Sequence, residues 1–96
     1  MGPPVSISTK QPARGHALYY SQLCGFCTRV LQVARALNLE LELRDVDFEA
    51  GRRQELMTGG GKGQVPCLRI EQADGSVNWM YESADISRYL QQHFSS

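Results

Sequence analysis

The sequence predicts a single α/β domain of order β-α-β-α-β-β-α, a four-stranded mixed sheet flanked by helices. Three observations carry that prediction. An aromatic run, His16 to Ser21, gives way after Cys24-Gly25-Phe26-Cys27 to apolar residues at helical spacing. Leu39 to Val46 then alternates apolar and charged residues, as a half-exposed strand does. Near the C-terminus an Asp74-Gly75 turn separates two short apolar runs and is followed by an amphipathic stretch. A βαβ unit first and a hairpin last implies a mixed sheet with helices packed against it. At 96 residues and 10.7 kDa the chain has room for one small core.

Met1 to Gly15 contains three prolines and no sustained periodicity, and reads as a flexible arm before a domain spanning 16–96. His16 to Ser21 is the first strand. Val30, Leu31, Ala34 and Leu37 mark one face of the first helix, and Asn38 is a plausible stop for it. Phe48 to Met57 reads as a second helix despite Gly51, with Thr58 to Gly63 a loop behind it. That glycine-rich loop follows a helix and precedes a strand, the reverse of a phosphate-binding loop. Pro66 to Glu71 and Val77 to Tyr81 form the hairpin strands. Ser83 to Phe94 places Ile86, Tyr89, Leu90 and Phe94 on one helical stripe.

Composition narrows the function classes. Hydrophobic residues make up 42% and charged residues 21%, as in ordinary globular domains. Ten Lys and Arg balance ten Asp and Glu, so no overall basic field points to nucleic acid. No apolar run approaches the 18 or so residues a membrane helix needs. The charge is unevenly spread: Lys10, Arg14, Arg29 and Arg35 precede the first acid, Glu40, whereas residues 40–96 hold all ten acids against six bases. Three cysteines, with no signal-peptide pattern before them, suit a reducing, cytoplasmic setting better than a secreted disulfide scaffold.

Cys24 and Cys27 sit where the first strand ends and the first helix begins. The first turn of a helix offers unpaired N–H groups and the positive end of its dipole, which favour a thiolate. Cys24 gains most and is expected to titrate below an ordinary cysteine, and Cys27 lies one turn deeper. An outer nucleophile with an inner resolving thiol is the arrangement that thiol–disulfide exchange uses. A structural zinc site would need four ligands, and the scattered Cys67, His16 and His93 do not supply a second pair. Cys67 reads as a buried strand cysteine, and Trp79 and Tyr81 as hairpin and core residues.

Leu18 to Cys27 (LYYSQLCGFC), Gln64-Val65-Pro66 and Glu82-Ser83-Ala84-Asp85-Ile86 together resemble a glutaredoxin, of the thioredoxin superfamily. The last motif, with Tyr81 before it, is also similar to the glutathione-binding N-terminal domain of glutathione transferases. The resemblance covers about residues 16–94. It implies a thioredoxin/glutaredoxin fold and a glutathione-dependent thiol–disulfide oxidoreductase with Cys24 and Cys27 as catalytic residues. It implies a cis Val65-Pro66 bond facing the cysteines, with backbone groups there pairing the cysteinyl part of glutathione. Ser83 would offer its hydroxyl and N–H to the γ-glutamyl carboxylate, and Glu82 or Asp85 would meet the ammonium. Phe26 would wall the thiol groove. The glycine carboxylate would fall to Gln22 and to Arg53, with Arg52 or Lys62 in reserve.

Two departures from the family pattern stand out. The Lys usual near the cysteines is absent, leaving Ser21 and Gln22, and Gly25 replaces the Pro usual between them. Cys-Gly-Phe also opens the branch of the family that carries a glutathione-ligated [2Fe–2S] cluster, for which Cys24 would be the ligand. A glutathione-binding module without turnover is a third reading. The partners implied are glutathione and disulfide-containing or glutathionylated proteins, with the chain a monomer and neither nucleic acid nor membrane involved.

Overall fold

A computed structural model describes residues 10–94. The elements follow the predicted order: β1 (Gln11–Tyr20), α1 (Gly25–Ala36), β2 (Leu39–Asp45), α2 (Arg52–Gly60), β3 (Cys67–Glu71), β4 (Val77–Met80) and α3 (Ser83–Phe94). The strands form one sheet in the order β2-β1-β3-β4. β1 runs parallel to β2, aligning Leu18 with Leu43, and antiparallel to β3, aligning Leu18 with Leu68 and Tyr19 with Cys67. β4 closes the sheet antiparallel to β3, with Arg69 opposite Trp79. This is the thioredoxin-like arrangement.

Alternation along the central strands divides the core between two faces. Leu18, Leu68 and Ile70 pack with Val30 and Ala34 of α1 and with Ile86 and Leu90 of α3. Tyr19 and Cys67 point the other way, onto Val46 and Leu56, with Val65, Trp79 and Tyr81 around them. Each fully buried leucine contributes roughly 1.5–3 kcal/mol through removal from water. Polar contacts fix α2 as well: Tyr19 Oη donates to Glu55 Oε1 at 2.9 Å, and Arg44 Nη1 donates to Tyr19 Oη at 2.7 Å. Burial opposes ionisation of Glu55, but hydrogen bonds from Tyr19 and Arg52 hold its carboxyl below the usual value.

Two element boundaries differ from the sequence reading. β1 begins at Gln11, five residues before the expected His16, so residues 11–15 belong to the sheet, while 1–9 lie outside the described residues. Pro12 and Gly15 hid the strand. The pairing with β2 shifts register between Pro12 and Ala17, and Gly15 takes the left-handed φ of 77° that such an irregularity needs. Helix α2 spans Arg52–Gly60 instead of 48–57. Its start is delayed because Asp45 Oδ1 accepts the N–H groups of Asp47 and Phe48, at 2.9 and 3.0 Å, and holds that stretch in a turn. Gly59 and Gly60 stay helical because α2 there lies against Trp79 and Tyr81, where a Cβ would collide. Elsewhere the ends agree to within a residue, and Asn38 stops α1 as expected, following the C-cap Leu37 with a left-handed φ of 54°.

Candidate functional site

The site is built where β1 hands over to α1. Ser21 and Gln22 turn the chain, with Cys24 N–H donating to Ser21 O at 3.2 Å, and Cys24 becomes the N-cap of α1. Its sulfur accepts the Cys27 N–H at 3.2 Å, a side-chain cap made by sulfur in place of oxygen. Cys24 is partly exposed, whereas Cys27 is fully buried. Burial, helped by the hydrogen bond to Cys24, pushes the Cys27 thiol up to about 12. Cys67, fully buried on the opposite sheet face, is pushed up to about 11, again by burial.

Val65-Pro66 is cis, and the Val65 carbonyl lies 3.9 Å from Cys24 Sγ. The β1–β3 ladder begins only at Cys67, so Val65 stands ahead of the paired backbone. Phe26, Gln64, Val65, Pro66, Glu82 and Ser83 line one cleft of about 130 Å³ beside the thiol. Ser83 is the first residue of α3, and Glu82 O accepts the first helical hydrogen bond, from Ile86 N–H at 2.8 Å. Glu82 thus holds the cap position, and the Ser83 N–H is among those left unpaired by the helix. Phe26 is 62% exposed and Leu23, on the turn itself, 94%. Five of the residues expected at the site, Phe26, Val65, Pro66, Glu82 and Ser83, therefore share one cleft.

The other expected contacts lie apart from it. Asp85 is exposed and takes a hydrogen bond from Arg88 Nη1 at 3.2 Å. Gln22 donates to Asp45 Oδ2 at 2.9 Å, and Arg53 to Asp47 Oδ1 at 2.7 Å. Asp47 Oδ2 also accepts the Ser21 hydroxyl at 2.5 Å. Burial opposes the charge on Asp45, yet the N–H groups of Asp47 and Phe48 and the Gln22 amide hold its carboxyl below the usual range. Arg53 lines a separate hollow with Phe48 and Met57. Asp45 and Asp47 are the residues that the sequence reading passed over. Their signal was faint: two carboxylates where the alternation of β2 stops.

A thioredoxin-like domain with a cysteine capping its first helix, a cis-proline opposite and a cleft ending on a Glu-Ser helix start defines the class. Within it, the glutathione S-transferase N-terminal domain profile matches residues 23–93, and the chain belongs to that family. Among solved structures, Leishmania TDR1, described as a unique trimeric glutathione transferase, is 30% identical with a TM-score of 0.67. That match covers 83% of this chain and 18% of the other. A delta-class glutathione transferase from Nilaparvata lugens is 28% identical with a TM-score of 0.65, over 84% of this chain and 37% of that one. A maleylacetoacetate isomerase from Anaeromyxobacter dehalogenans, solved with dicarboxyethyl glutathione and citrate in its active site, is 25% identical with a TM-score of 0.62. There the match covers 82% of this chain and 36% of that one, so the chain spans well under half of each of these proteins. None of the curated protein sequences compared with the chain matches it.

Proposed function

We propose that this domain binds glutathione and performs cysteine-based thiol–disulfide exchange on glutathione mixed disulfides. The observation that carries the reading is the Cys24 sulfur, partly exposed, capped by the Cys27 N–H and set beside the Phe26–Ser83 cleft. In the first step Cys24 thiolate attacks the glutathionyl sulfur of a mixed disulfide. The Cys24–glutathione S–S bond forms, the original S–S bond breaks, and the departing thiolate takes a proton from water. A second glutathione thiolate then attacks the glutathionyl sulfur on Cys24, releasing oxidised glutathione and restoring the thiolate. Atoms and electrons balance across the cycle: one glutathione thiol is consumed per mixed disulfide, and the products are the freed substrate thiol and one oxidised glutathione, half of which is the substrate's own glutathionyl group.

Cys27 plays a lesser part in this reading than the sequence expectation gave it. Burial pushes its pKa up to about 12 and closes it off from solvent, so Cys27 is a poor nucleophile near pH 7. Burial, the larger cause, persists after Cys24 is modified, so the second glutathione is the better resolving nucleophile. The γ-glutamyl end of the ligand would meet the free N–H groups at the start of α3, and the cysteinyl backbone would meet Val65. Neither step requires a second copy of the chain, and the chemistry suits a reducing, cytoplasmic setting. The test is turnover of a glutathionylated small thiol by wild type, Cys24→Ser and Cys27→Ser, coupled to glutathione reductase. Cys24→Ser should lose at least about 10³-fold, as removal of a covalent nucleophile does, and Cys27→Ser should stay within about threefold. A wild type inactive here that conjugates glutathione to an electrophile would replace the reading with a transferase one, which the family membership favours.

A further inference from the structure

Among the described residues β2 has a partner strand on one edge only, since the sheet runs β2-β1-β3-β4. Two hydrogen bonds fix which of its backbone groups face outward. Gln11 N–H donates to the Asn38 carbonyl at 2.9 Å, and Val46 N–H donates to the Tyr20 carbonyl at 3.0 Å. Peptide groups alternate along a strand, so Glu40, Glu42 and Arg44 turn theirs toward β1, whereas Leu39, Leu41 and Leu43 turn theirs away. The residues of that outward row carry their side chains on the α1 face, where Leu31, Arg35, Leu39, Leu41 and Leu43 line a hollow of about 240 Å³. Leu43 is 40% exposed there. Sheet edges are ordinarily blunted by proline, by a bulge or by charge. β2 has no proline, the irregularity beside it belongs to β1, and its charges form a self-complementary pattern.

We propose that β2 is a dimerisation edge, pairing antiparallel with β2 of a second copy of this chain about a two-fold axis through Glu42. The inference is independent of the glutathione reading and departs from the monomer that the resemblance implies. A two-fold axis normal to the sheet keeps every side chain on its own face, so odd-numbered residues must meet odd and even must meet even. Centring on Glu42 uses all seven residues of β2. Leu41 then exchanges both outward backbone hydrogen bonds with Leu43 of the second copy, and four leucines meet beside the axis. On the other face Glu40, exposed and without a partner among the described residues, comes opposite Arg44 of the second copy. Arg44 uses Nε on Glu42 at 2.8 Å and Nη1 on Tyr19 at 2.7 Å, which leaves Nη2 for that Glu40. The two Glu42 residues form a like-charge pair, and each is offset by its own Arg44. Moving the axis to Leu41 would set Glu40 against Glu42 twice. Moving it to Leu43 would set Leu41 against Asp45, which is buried and held by its own turn. One strand pairing covers less surface than a standard interface, so the dimer is a weak one.

The experiment has two arms, both on the full chain, with circular dichroism to confirm folding of each variant. Sedimentation equilibrium under reducing conditions, up to about 1 mM as a weak interface requires, should show wild type passing from monomer to dimer. Leu43→Lys, a charge placed on the exposed edge, should weaken that association at least about tenfold. The second arm reads the register in a Cys24→Ser background, which removes the accessible thiol. Glu42→Cys brings two cysteines opposite each other, about 4.5 Å apart at Cα and within disulfide reach. Glu40→Cys, on the same face, leaves them about 14 Å apart and out of reach. In a glutathione redox buffer Glu42→Cys should form the covalent dimer at least about tenfold faster than Glu40→Cys. A wild type that stays monomeric throughout the range overturns the proposal, as does a dimer that Leu43→Lys leaves intact. Equal cross-linking rates in the two cysteine variants also overturn it, because they mean random collision in place of pairing.

Discussion

Midway along β1, His16 enters an aromatic stack, whereas beyond the strand's C-terminal end the chain turns through Ser21 and Gln22 and delivers Cys24 to a partly open cleft. At the histidine both ring nitrogens are engaged. His16 Nδ1 donates to the Arg14 carbonyl at 2.8 Å, so its Nε2 is the acceptor for the Tyr89 hydroxyl at 2.7 Å. His93 stacks on Tyr89 at 5.1 Å, and Phe94 stands edge-on to both imidazoles. At the cysteine end Leu23, Phe26, Phe48 and Met57 are all at least half exposed, and one thiol is accessible while Cys27 and Cys67 are shut away. Both regions combine aromatic rings with titratable groups. What separates them is that both ring nitrogens of His16 have internal partners, while the Cys24 sulfur stays partly exposed.

The largest expected effect outside the assays above lies at the buried thiols, which tie stability to alkaline pH. Cys67 keeps its proton in the folded state up to about pH 11, against an ordinary value of 9.0. Between those limits the unfolded chain releases a proton that the folded chain retains, so stability present below pH 9 is lost as pH rises through 11. Two units correspond to about 2–3 kcal/mol, of which about 2 kcal/mol should be lost by pH 11. Tyrosines also titrate there, so the measurement is a difference. The gap in urea unfolding free energy between wild type and Cys67→Ala should close by about 2 kcal/mol from pH 8 to pH 11. Parallel curves would mean that burial of Cys67 does not govern its proton.

Next in size is a change beside the same cluster. Tyr81 donates to the Lys62 carbonyl at 2.9 Å, and its ring carries the Lys62 ammonium 4.7 Å from its centroid. A methyl group on Gly60 would strike the Tyr81 hydroxyl, so Gly60→Ala should cost about 1–2 kcal/mol as local overpacking. Gly61→Ala is a contrast: its left-handed φ of 91° penalises Ala, but no atom lies in the way. Gly60→Ala should shift near-ultraviolet circular dichroism of Tyr81, and Gly61→Ala should lower stability without that spectral change.

These positions also show where the sequence was readable. Hydrophobic periods gave the element types, and the Cys-x-x-Cys placement gave the helix N-cap, because both are local signals. The last helix was legible to the residue, since Ile86 and Leu90 keep a clean stripe and Phe94 ends it. What escaped depends on distant partners. Gly59 and Gly60 read as a loop because nothing local says that Trp79 and Tyr81 will pack against them. Pro12 and Gly15 read as an arm because a strand irregularity makes sense only beside β2 and β3. Asp45 and Asp47 drew no reading of their own, because only the fold brings Gln22, Ser21 and Arg53 to them.

The smallest expected effect tests the histidine stack directly. Burial lowers the His16 pKa from its ordinary 6.5, with the positive charge of a protonated His93 acting in the same direction and the Arg14 carbonyl against it. As pH falls below 6.5 the unfolded chain binds a proton at His16 that the folded chain resists, so stability present at neutral pH is lost on acidification. Protonation would also force Nε2 to donate, turning the Tyr89 hydroxyl away from its present role as donor. His16→Gln keeps a hydrogen-bonding side chain without a titrating group. Wild type should lose more stability than His16→Gln between pH 7.5 and pH 5, by less than the alkaline change at Cys67. An equal loss in both proteins would show that the acid sensitivity lies elsewhere, and that the aromatic stack tolerates a charge.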